Sequence, residues 1–365
     1  MVVIMKILRP IKDGKFTETN NLRNSIFLAG PCPREKDDFK NDWRNEAFDI
    51  LKDLGFDGTV ITPTNQDYQE YRKHDSNALE VQTKWEFECM KKCSALVFWI
   101  DRSEKHPAMT TNIEFGDWYD KEGVYVGWPD SAIKNDYIEI RLKMRKEKRI
   151  YKDLREMLKQ VIDDFKRPEQ MFFTSDTHFG QQRTLEFSRR PFIDTHDMDL
   201  TMISNWNKRV TMNDTVIHAG DFGDIKTLKE ILGNLNFKKM IWVMGNYDRT
   251  EMLFIRTIIK ETKRDIKLEF SYEFTDKSVS GKPVTFYVIH EPKTNLIGKS
   301  GHEPTYPSEF VLFGHIHGRA FAKLNGIDLG TDYHNYTPIS LDDVKWYHNA
   351  CQYWDENVFC DKAIV

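Results

Sequence analysis

The feature that most constrains this chain is an alternation of short apolar runs with helical patterns along both of its halves. In the first half, strands are predicted at Ser25–Gly30, Gly58–Thr62, Ala95–Asp101 and Val124–Gly127. Helices are predicted between them over Trp43–Leu54, Ala78–Lys92 and about Thr111–Lys121. This order is typical of βα units, in which helices connect neighbouring strands of a mainly parallel sheet.

The same pattern restarts at Met171 and continues through the second half. Strands are predicted there at Met171–Ser175, Thr215–Ala219, Lys239–Met244, Val284–Ile289 and Glu309–Phe313. Helices are predicted over Asp197–Val210 and near Lys226–Asn234. The second half is therefore a separate α/β arrangement of its own.

The break between the two halves is predicted at Lys166-Arg167-Pro168, because a helical pattern that runs to Phe165 ends there. A chain of 365 residues with 40% hydrophobic residues is long and apolar enough for two buried cores. We therefore predict an α/β two-domain protein. Residues 1–166 would form a flavodoxin- or Rossmann-like parallel sheet with flanking helices and a C-terminal linker helix, and residues 167–365 the second domain.

The overall charge and the lengths of the apolar runs limit the partners of the chain. A net charge of −4 shows no global basic excess, so a nucleic-acid partner is not favoured. The run Arg141–Arg149 (RLKMRKEKR) is interpreted as a solvated helix face, with a phosphate or nucleic-acid contact as the alternative. No secretory leader is recognised, and no apolar run approaches the roughly 20 residues that span a bilayer. We predict a cytoplasmic protein without a membrane partner.

Five clusters of potential ligands each follow a predicted strand of the second half. They are Asp176-Thr177-His178, Gly220-Asp221 with Asp224, Gly245-Asn246-Tyr247-Asp248, His290, and Gly314-His315-Ile316-His317. The carboxyl ends of the strands in an α/β sheet converge on one crevice, so these side chains are expected to meet. Carboxylate, imidazole and amide ligands together suit Mn, Fe, Zn or Ni rather than Ca. His218 lies inside a strand and is expected to be a core residue.

These motifs, D-x-H, G-D-x-x-D, G-N-x-D, a later His and G-H-x-H, resemble the calcineurin-like metallophosphoesterase family from Met171 to about Val344. The resemblance implies a four-layer α/β/β/α sandwich and hydrolysis of phosphomonoesters or diesters. It also implies two divalent metal ions, which lower the pKa of water into the neutral range. By motif, one ion would be held by Asp176, His178 and His317, the other by Asn246, His290 and His315, with Asp221 bridging.

A narrower resemblance is to small bacterial and phage-type members of that family. It rests on SDTHFG, on RRPF at Arg189–Phe192, on Asn205-Trp206-Asn207 and on Leu329–Val344. Arg190 is taken from it as a substrate-binding candidate. The subgroup often has His where this chain has Gln181.

The chain departs from the family after the Gly-Asn motif. The family usually has a histidine there that helps to protonate the leaving oxygen, and the acid that follows orients it. Here Tyr247 and Asp248 stand at these two positions. A tyrosine pKa near 10 makes it a reluctant proton donor, so we expect slow turnover of esters with poor leaving groups.

Four segments of the first half resemble, in their order, the nucleoside 2-deoxyribosyltransferase-like family. They are SIFLAGPCPR, Trp43-Arg44, Trp85-Glu86 followed by ALVFWIDR, and TTNIEFGDW. The resemblance implies that Glu114 is a nucleophile that attacks the anomeric carbon, as in a retaining glycosidase. Asp101 and Glu86 are both candidates for the acid that protonates the leaving base. Further substrate-binding candidates are Gly30, Pro31, Arg34 and Asn112, and Arg34 and Arg102 suggest a phosphorylated substrate.

Together the two halves predict a bifunctional enzyme of nucleotide metabolism that acts on a small nucleoside or nucleotide. One alternative makes the first half a non-catalytic nucleotide-recognition module attached to the phosphoesterase. Another makes the second half a metal-dependent nuclease. A homo-oligomer through the N-terminal domain is left open.

Overall fold

In a computed structural model, the residues described are 5–33, 36–65, 71, 76–119, 123–145, 149–292, 309–317, 322–323 and 325–352. The chain forms two compact units. The first comprises the described residues up to Pro168 together with the segments 207–212 and 233–236. The second comprises the remainder. None of the helices within the described ranges has the length and apolar character required to cross a membrane.

The first unit contains a six-stranded sheet in which every neighbouring pair is parallel. Its strands are β1 (Lys6–Leu8), β4 (Ser25–Ala29), β5 (Thr59–Ile61), β6 (Ala95–Trp99), β7 (Val124–Gly127) and β8 (Ile150–Tyr151). Their order is β1-β5-β4-β6-β7-β8, and a small hairpin of β2 (Ile11–Lys12) and β3 (Lys15–Phe16) stands apart. The predicted parallel sheet is confirmed, while the short edge strands β1 and β8 were not predicted.

Helices cover both faces of this sheet, which is why its inner strands are apolar throughout. The helices are α1 (Trp43–Asp53), α2 (Ala78–Lys92), α3 (Met109–Trp118), α4 (Asp136–Arg145) and α5 (Leu154–Phe165). Side chains of α2, α3 and α4 share one core with the sheet, and side chains of α1 and α5 share the other. The predicted linker helix α5 is thus part of the first unit, because its buried residues recur every three or four positions.

The second unit contains two mixed sheets. The first has β9 (Met171–Thr174), β10 (Thr215–His218), β11 (Lys239–Val243), β12 (Asp265–Glu269) and, antiparallel at its edge, β18 (Ile339–Ser340). The second has β13 (Tyr272–Lys277), β14 (Pro283–Val288), β15 (Glu309–Phe313), β16 (Ala322–Lys323) and β17 (Gly326–Asp328). Apolar residues of both sheets share one core, which confirms an α/β fold of mixed sheets and helices.

The helices of the second unit are α6 (Gln182–Phe187), α7 (Thr195–Arg209), α8 (Ile225–Asn234), α9 (Asn246–Thr250), α10 (Met252–Thr262) and α11 (Leu341–Gln352). Strands β9, β10 and β11 are parallel neighbours in one sheet, and β14 and β15 are parallel neighbours in the other. Each of these five strands ends two or three residues before a predicted ligand, so their carboxyl ends position the site.

Candidate functional site

One group of potential ligands consists of Asp176, His178 and His317. Asp176 Oδ1 lies 3.9 Å from His178 Nε2 and 3.7 Å from His317 Nε2. These separations are too long for hydrogen bonds. Two atoms that each bind one ion at about 2.1 Å lie at most about 4.2 Å apart, so the spacing suits ligands of a shared cation.

A second group consists of Asp221, His290 and His315, with Asn246 among them. Asn246 Oδ1 lies 3.1 Å from both His290 Nε2 and His315 Nδ1. Asp221 Oδ2 lies 3.2 Å from His290 Nε2 in this group and 3.8 Å from His178 Nε2 in the first. Its carboxylate therefore stands between the two groups, where the sequence predicted a bridging ligand.

The other ring nitrogens of three histidines are occupied by partners outside the groups. His178 Nδ1 lies 2.7 Å from Gln181 Oε1, and His290 Nδ1 lies 2.8 Å from the Ala219 carbonyl. Because each of these oxygens can only accept, Nδ1 carries a proton in both rings, and Nε2 is the atom that faces the group of ligands. Such outer partners fix the tautomer and orientation of a metal-binding histidine.

His317 is held in the same way through its Nδ1 atom. That atom lies 3.1 Å from Ser188 Oγ and 3.5 Å from Asp332 Oδ2. The motifs of the sequence contained no signal for Gln181 and Ser188 in this role, and Asp332 was noticed only as part of a longer segment.

His178, which is almost fully buried, shows that these ligands fit a cation. Its Nε2 atom has no hydrogen-bond partner within the described residues. Burial lowers the pKa of this imidazole to about 4, although Asp176 and Asp221 raise it, so the lone pair is free at neutral pH. A buried acceptor that faces two carboxylates is explained by a cation between them.

The pKa of His290 indicates the same demand for positive charge. Burial lowers it, but the hydrogen bond to Asp221 and the charges of Asp176 and Asp221 raise it to about 9. Two buried carboxylates thus favour a positive charge at this point. His218, in contrast, is fully buried, contacts Thr177 Oγ1 at 2.9 Å and belongs to neither group, so it is the core residue that was expected.

The backbone at the site adopts a conformation that side chains rarely accept. Asp176, His178, Asp221, His315 and His317 all have φ between +45° and +77°. Such left-handed residues cost of order 1–3 kcal/mol each and persist only when their surroundings impose them. Strain at these five positions is an independent sign of a functional site.

Close backbone approach explains the glycine before Asn246. A Cβ atom on Gly245 would lie 2.0 Å from Asp221 Oδ1 and 2.6 Å from Asp221 N. No side chain is accommodated at such distances. The glycine therefore allows the loop after β11 to reach the carboxylate that lies between the two groups.

Asp248 acts on the site through the backbone. Its buried carboxylate accepts hydrogen bonds from the N–H groups of Asp221, Phe222 and Gly245 and from Trp242 Nε1, at 2.8–3.1 Å. Both oxygens are used in this way, so Asp248 holds the loop of Asp221. The predicted role of Asp248 as a catalytic residue that orients position 247 stays a prediction.

A cavity of about 220 Å³ opens onto both groups of ligands. Tyr247 lines it, is 41% exposed, and donates its backbone N–H to Asp221 Oδ1 at 3.1 Å. Its ring meets His178 edge to face, with the centroids 5.6 Å apart. Arg183, which no motif indicated, also lines this cavity.

Arg190 does not reach the cavity. It is buried, and its guanidinium donates to both oxygens of Asp332, to the carbonyls of Thr177 and Asp176, and to Met198 Sδ. All five N–H groups are therefore used. Arg190 thus supports the loop that carries Asp176 and His178, and its role in substrate binding stays a prediction.

In the first unit, the loop after β4 is organised by Arg44, which is fully buried. Its guanidinium donates to the carbonyls of Leu28, Gly30 and Pro31 and to Asp42 at 2.8–3.1 Å. A Cβ atom on Gly30 would lie 2.2 Å from the Trp99 carbonyl. The predicted Gly30-Pro31 turn thus requires glycine, and Pro31 lines an adjoining cavity of about 410 Å³.

Glu86 of α2 and Glu114 of α3 lie close enough to repel each other. Burial raises the pKa of Glu86 to about 7, Gln82 opposes this by a hydrogen bond of 2.6 Å, and the charge of Glu114 adds to it. Burial also raises the pKa of Glu114, and Arg44 opposes it. Glu114 stands in the second turn of its helix, so the N-terminal dipole that was expected to act on it is weak there.

The remaining predicted residues of the first unit lie elsewhere. Asp101 lines a neighbouring cavity with Asp42 and Trp43, and burial raises its pKa. Asn112 accepts a hydrogen bond of 2.6 Å from Arg102 and faces a third cavity with it. The substrate-binding role of Asn112 stays a prediction. Arg34 lies outside the described residues.

Comparison with known proteins finds relatives of modest similarity. The chain is 25% identical over 186 residues to an uncharacterized protein of Methanocaldococcus jannaschii, which covers 47% of this chain and 87% of that protein. A protein of unknown function from Aquifex aeolicus is 21% identical with a TM-score of 0.36, covering 49% of this chain and 98% of that one. The phosphopantetheinyl hydrolase of Mycobacterium tuberculosis is 16% identical with a TM-score of 0.19, covering 34% and 43%.

Two family models match successive parts of the chain. Residues 23–132 match the nucleoside 2-deoxyribosyltransferase-like family. Residues 171–329 match the calcineurin-like phosphoesterase superfamily domain. The matched ranges contain the Glu86 and Glu114 pair and all seven predicted metal ligands respectively. The chain therefore carries a nucleoside 2-deoxyribosyltransferase-like domain followed by a calcineurin-like phosphoesterase domain.

Proposed function

We propose that this chain is a bifunctional enzyme of nucleotide metabolism, with a dinuclear-metal phosphoesterase in its second unit and an N-glycosidic activity in its first. The observation that carries the phosphoesterase is the pair of ligand groups on either side of Asp221, with the buried and unpartnered Nε2 of His178 facing them. When bound, two divalent cations supply water of lowered pKa and offset the charge of the phosphoryl oxygens.

The side chains of the 220 Å³ cavity then position the substrate. Arg183 is exposed at its rim and is suited to pair with a non-bridging phosphate oxygen. Tyr247 lies on the wall and offers a hydroxyl that can donate a hydrogen bond to the leaving oxygen. A phenol is a weaker acid than the usual imidazolium, and only an alkoxide leaving group needs a proton, so aryl esters should be hydrolysed much faster than alkyl esters.

The test of this activity is a metal-loading series. The protein, freed of metal by chelation and reloaded with Mn, Fe, Zn or Ni, is assayed on p-nitrophenyl phosphate, bis(p-nitrophenyl) phosphate, nucleotides and cyclic nucleotides. We expect activity that requires metal and that Asp221→Asn lowers by at least 100-fold. Equal rates without metal, or in the Asp221 variant, would exclude the proposed centre.

The role of Tyr247 is tested separately with Tyr247→Phe. Loss of the hydroxyl should slow alkyl esters more than aryl esters, because only the former need help with the leaving oxygen. Equal rates on alkyl esters would remove Tyr247 from the reaction while leaving the metal centre in place.

In the first unit, we infer that Glu114 is the nucleophile and Glu86 the acid. Glu86 is favoured over Asp101 because its pKa is raised to about 7 and because Glu114 acts on it directly. No electrostatic effect of Asp101 on either glutamate is found among the described residues. Two carboxyl groups with different pKa values can divide the roles of acid and nucleophile.

The reaction balances with these two groups. The Glu114 carboxylate attacks the anomeric carbon, the C–N bond breaks, and the base leaves with the proton of Glu86. Water or a second base then attacks the glycosyl ester, Glu86 takes up its proton, and Glu114 is released. Hydrolysis and transfer differ only in this acceptor.

The discriminating measurement is release of free base from nucleosides and nucleotides. Glu114→Ala should abolish it and Glu86→Gln should lower it by about 10²–10⁴-fold, the usual contribution of general acid catalysis. If no base is released while nucleotides still bind, the first unit is a recognition module. Base release that neither change affects would exclude the two glutamates from the reaction. Cleavage of single- or double-stranded DNA faster than of nucleotides would favour the nuclease alternative for the second unit.

A further inference from the structure

A cavity of about 440 Å³ in the first unit is separate from the glutamate pair. It is bordered by Asn112, Phe115 and Gly116 of α3, which share one side of that helix, and by Tyr119, the residue that follows the helix. Glu114 lies two residues from Asn112 and Gly116, and at 3.6 residues per turn its side chain points to the opposite side. A ligand in this cavity therefore does not occupy the position proposed for the N-glycosidic reaction.

The charged side chains of the cavity are all basic. Arg102, Lys134 and Arg141 border it, and no carboxylate is part of its lining. Neither arginine forms an ion pair with any residue that the structure describes. Lys134 contacts Glu104 at 3.2 Å, but both side chains are exposed, so this pair is weak. A chain of net charge −4 thus has here a concentration of positive charge that suits an anion.

Arg102 is held in place before any ligand binds. It is 8% exposed, and it donates to the Lys134 carbonyl at 3.0 Å and to Asn112 Oδ1 at 2.6 Å. Its Nε atom is buried and has no hydrogen-bond partner among the described residues. An arginine that is fixed by its neighbours and retains an unused donor is suited to bind a phosphate group, and little side-chain entropy is lost when it does so.

Aromatic rings stand beside these cations. Arg141 donates to the Tyr119 hydroxyl at 3.0 Å, and its guanidinium carbon lies 5.7 Å from the centre of that ring. Tyr137, which is 74% exposed, presents a second ring. Rings of this kind stack on a planar aromatic group such as a nucleobase.

Gly116 lines the cavity without a side chain that would fill it. A glycine inside a helix costs roughly 0.5–1 kcal/mol relative to alanine. Its φ is not positive, and a Cβ atom placed there would meet no heavy atom within 4 Å, so neither backbone conformation nor packing requires glycine. A larger side chain at this position would project into the cavity.

We propose that this cavity is a second nucleotide-binding site, which takes a nucleoside mono- or diphosphate with its phosphate on Arg102 and Arg141 and its base against Tyr119 and Tyr137. Its volume lies within the range of roughly 300–1,000 Å³ that small-molecule sites occupy. The proposal is independent of both proposed activities, because neither the glutamate pair nor the metal centre contributes to this lining.

The test is calorimetric titration of the full chain with AMP, with EDTA to remove metal from the second unit and with Glu114→Gln to prevent turnover at the glutamate pair. We expect one AMP per chain, with adenosine and inorganic phosphate each at least tenfold weaker. Arg141→Gln should raise Kd at least tenfold, and Gly116→Leu should fill the cavity and abolish binding. Lys143→Gln is the matched control, because it removes the same charge from the other side of α4 and Lys143 does not line the cavity.

Each contrary result overturns the proposal. AMP that fails to bind, or that binds both the Arg141 and Gly116 variants normally, does not use this cavity. If Lys143→Gln weakens AMP binding as much as Arg141→Gln does, AMP responds to the overall positive charge of this surface and not to the cavity. If AMP binds the chain with Glu114 but not the Glu114→Gln variant, the nucleotide lies at the glutamate pair. A changed oligomeric state with unchanged AMP affinity in Gly116→Leu would make the surface an interface between copies. Arg141 is exposed, so its variant remains informative even if Gly116→Leu does not fold.

Discussion

The contact between Gln181 and His178 allows a quantitative test of the metal centre. Gln181→Leu removes the oxygen that accepts the Nδ1 proton of His178 at 2.7 Å. His178 is almost fully buried, so the proton would have no protein acceptor and water would reach it poorly. Leaving a buried donor unsatisfied costs about 1–3 kcal/mol. Loss of such an outer partner commonly lowers metal affinity by about 10- to 100-fold, which corresponds to about 1.4–2.8 kcal/mol.

The assay measures how well the protein competes with a chromophoric chelator for Mn or Zn, with the binding of the first and the second ion resolved. The loss should fall on the ion held by Asp176, His178 and His317, and the second ion should bind within about threefold of its original affinity. Gln181→Glu should preserve or strengthen the first ion, because a carboxylate accepts the same hydrogen bond and makes the imidazole more basic.

Gln182→Leu is the matched control for this experiment. Gln182 is the next residue, is exposed, and contacts only Glu186 on the surface of its own helix at 3.1 Å. Its replacement should leave both ions unaffected. The reasoning is refuted if Gln181→Leu binds both ions as before, or if the two leucine variants weaken binding equally.

Base release should fall about tenfold per pH unit above pH 7, because only the protonated form of Glu86 donates a proton. Burial raises the pKa of Glu86 to about 7; the hydrogen bond from Gln82 opposes this shift and the charge of Glu114 adds to it. A flat rate from pH 6 to 9 would contradict this. Gly245→Ala should lower the amount of bound metal at least tenfold in elemental analysis, because the new Cβ would lie 2.0 Å from Asp221 Oδ1. A full complement of metal in this variant would show that the loop after β11 moves to accommodate the methyl group. Arg190→Leu should cost about 3–5 kcal/mol in urea unfolding of the second unit, since the largely buried Asp332 carboxylate loses its bidentate arginine partner. Arg183→Leu, at an exposed position, should change stability by less than about 0.5 kcal/mol.

The sequence alone determined the main strands that lead to the site and the chemical groups that stand just after them. Apolar runs with glycine and polar residues at their ends predict strands and their carboxyl-end loops, because this pattern depends on local periodicity. The strands that lead to Asp176, Asp221 and Asn246 were therefore predicted to within one residue at each end. The edge strands β1 and β8 were missed, since two or three residues are too few to show a period.

Tertiary structure decided which residues act on the site and through which atoms. Arg190 and Asp248 stand within motifs, but their side chains are consumed by buried loops, a fact that depends on partners up to 142 residues away. Gln181 was noted only as a departure from the narrower subgroup, and yet it contacts His178. The choice of Glu86 over Asp101 also depends on burial of Glu86 and on the charge of Glu114, and both act on Glu86 only in the folded chain. Motifs record which chemical groups are present, whereas their roles follow from distances that only the folded chain creates.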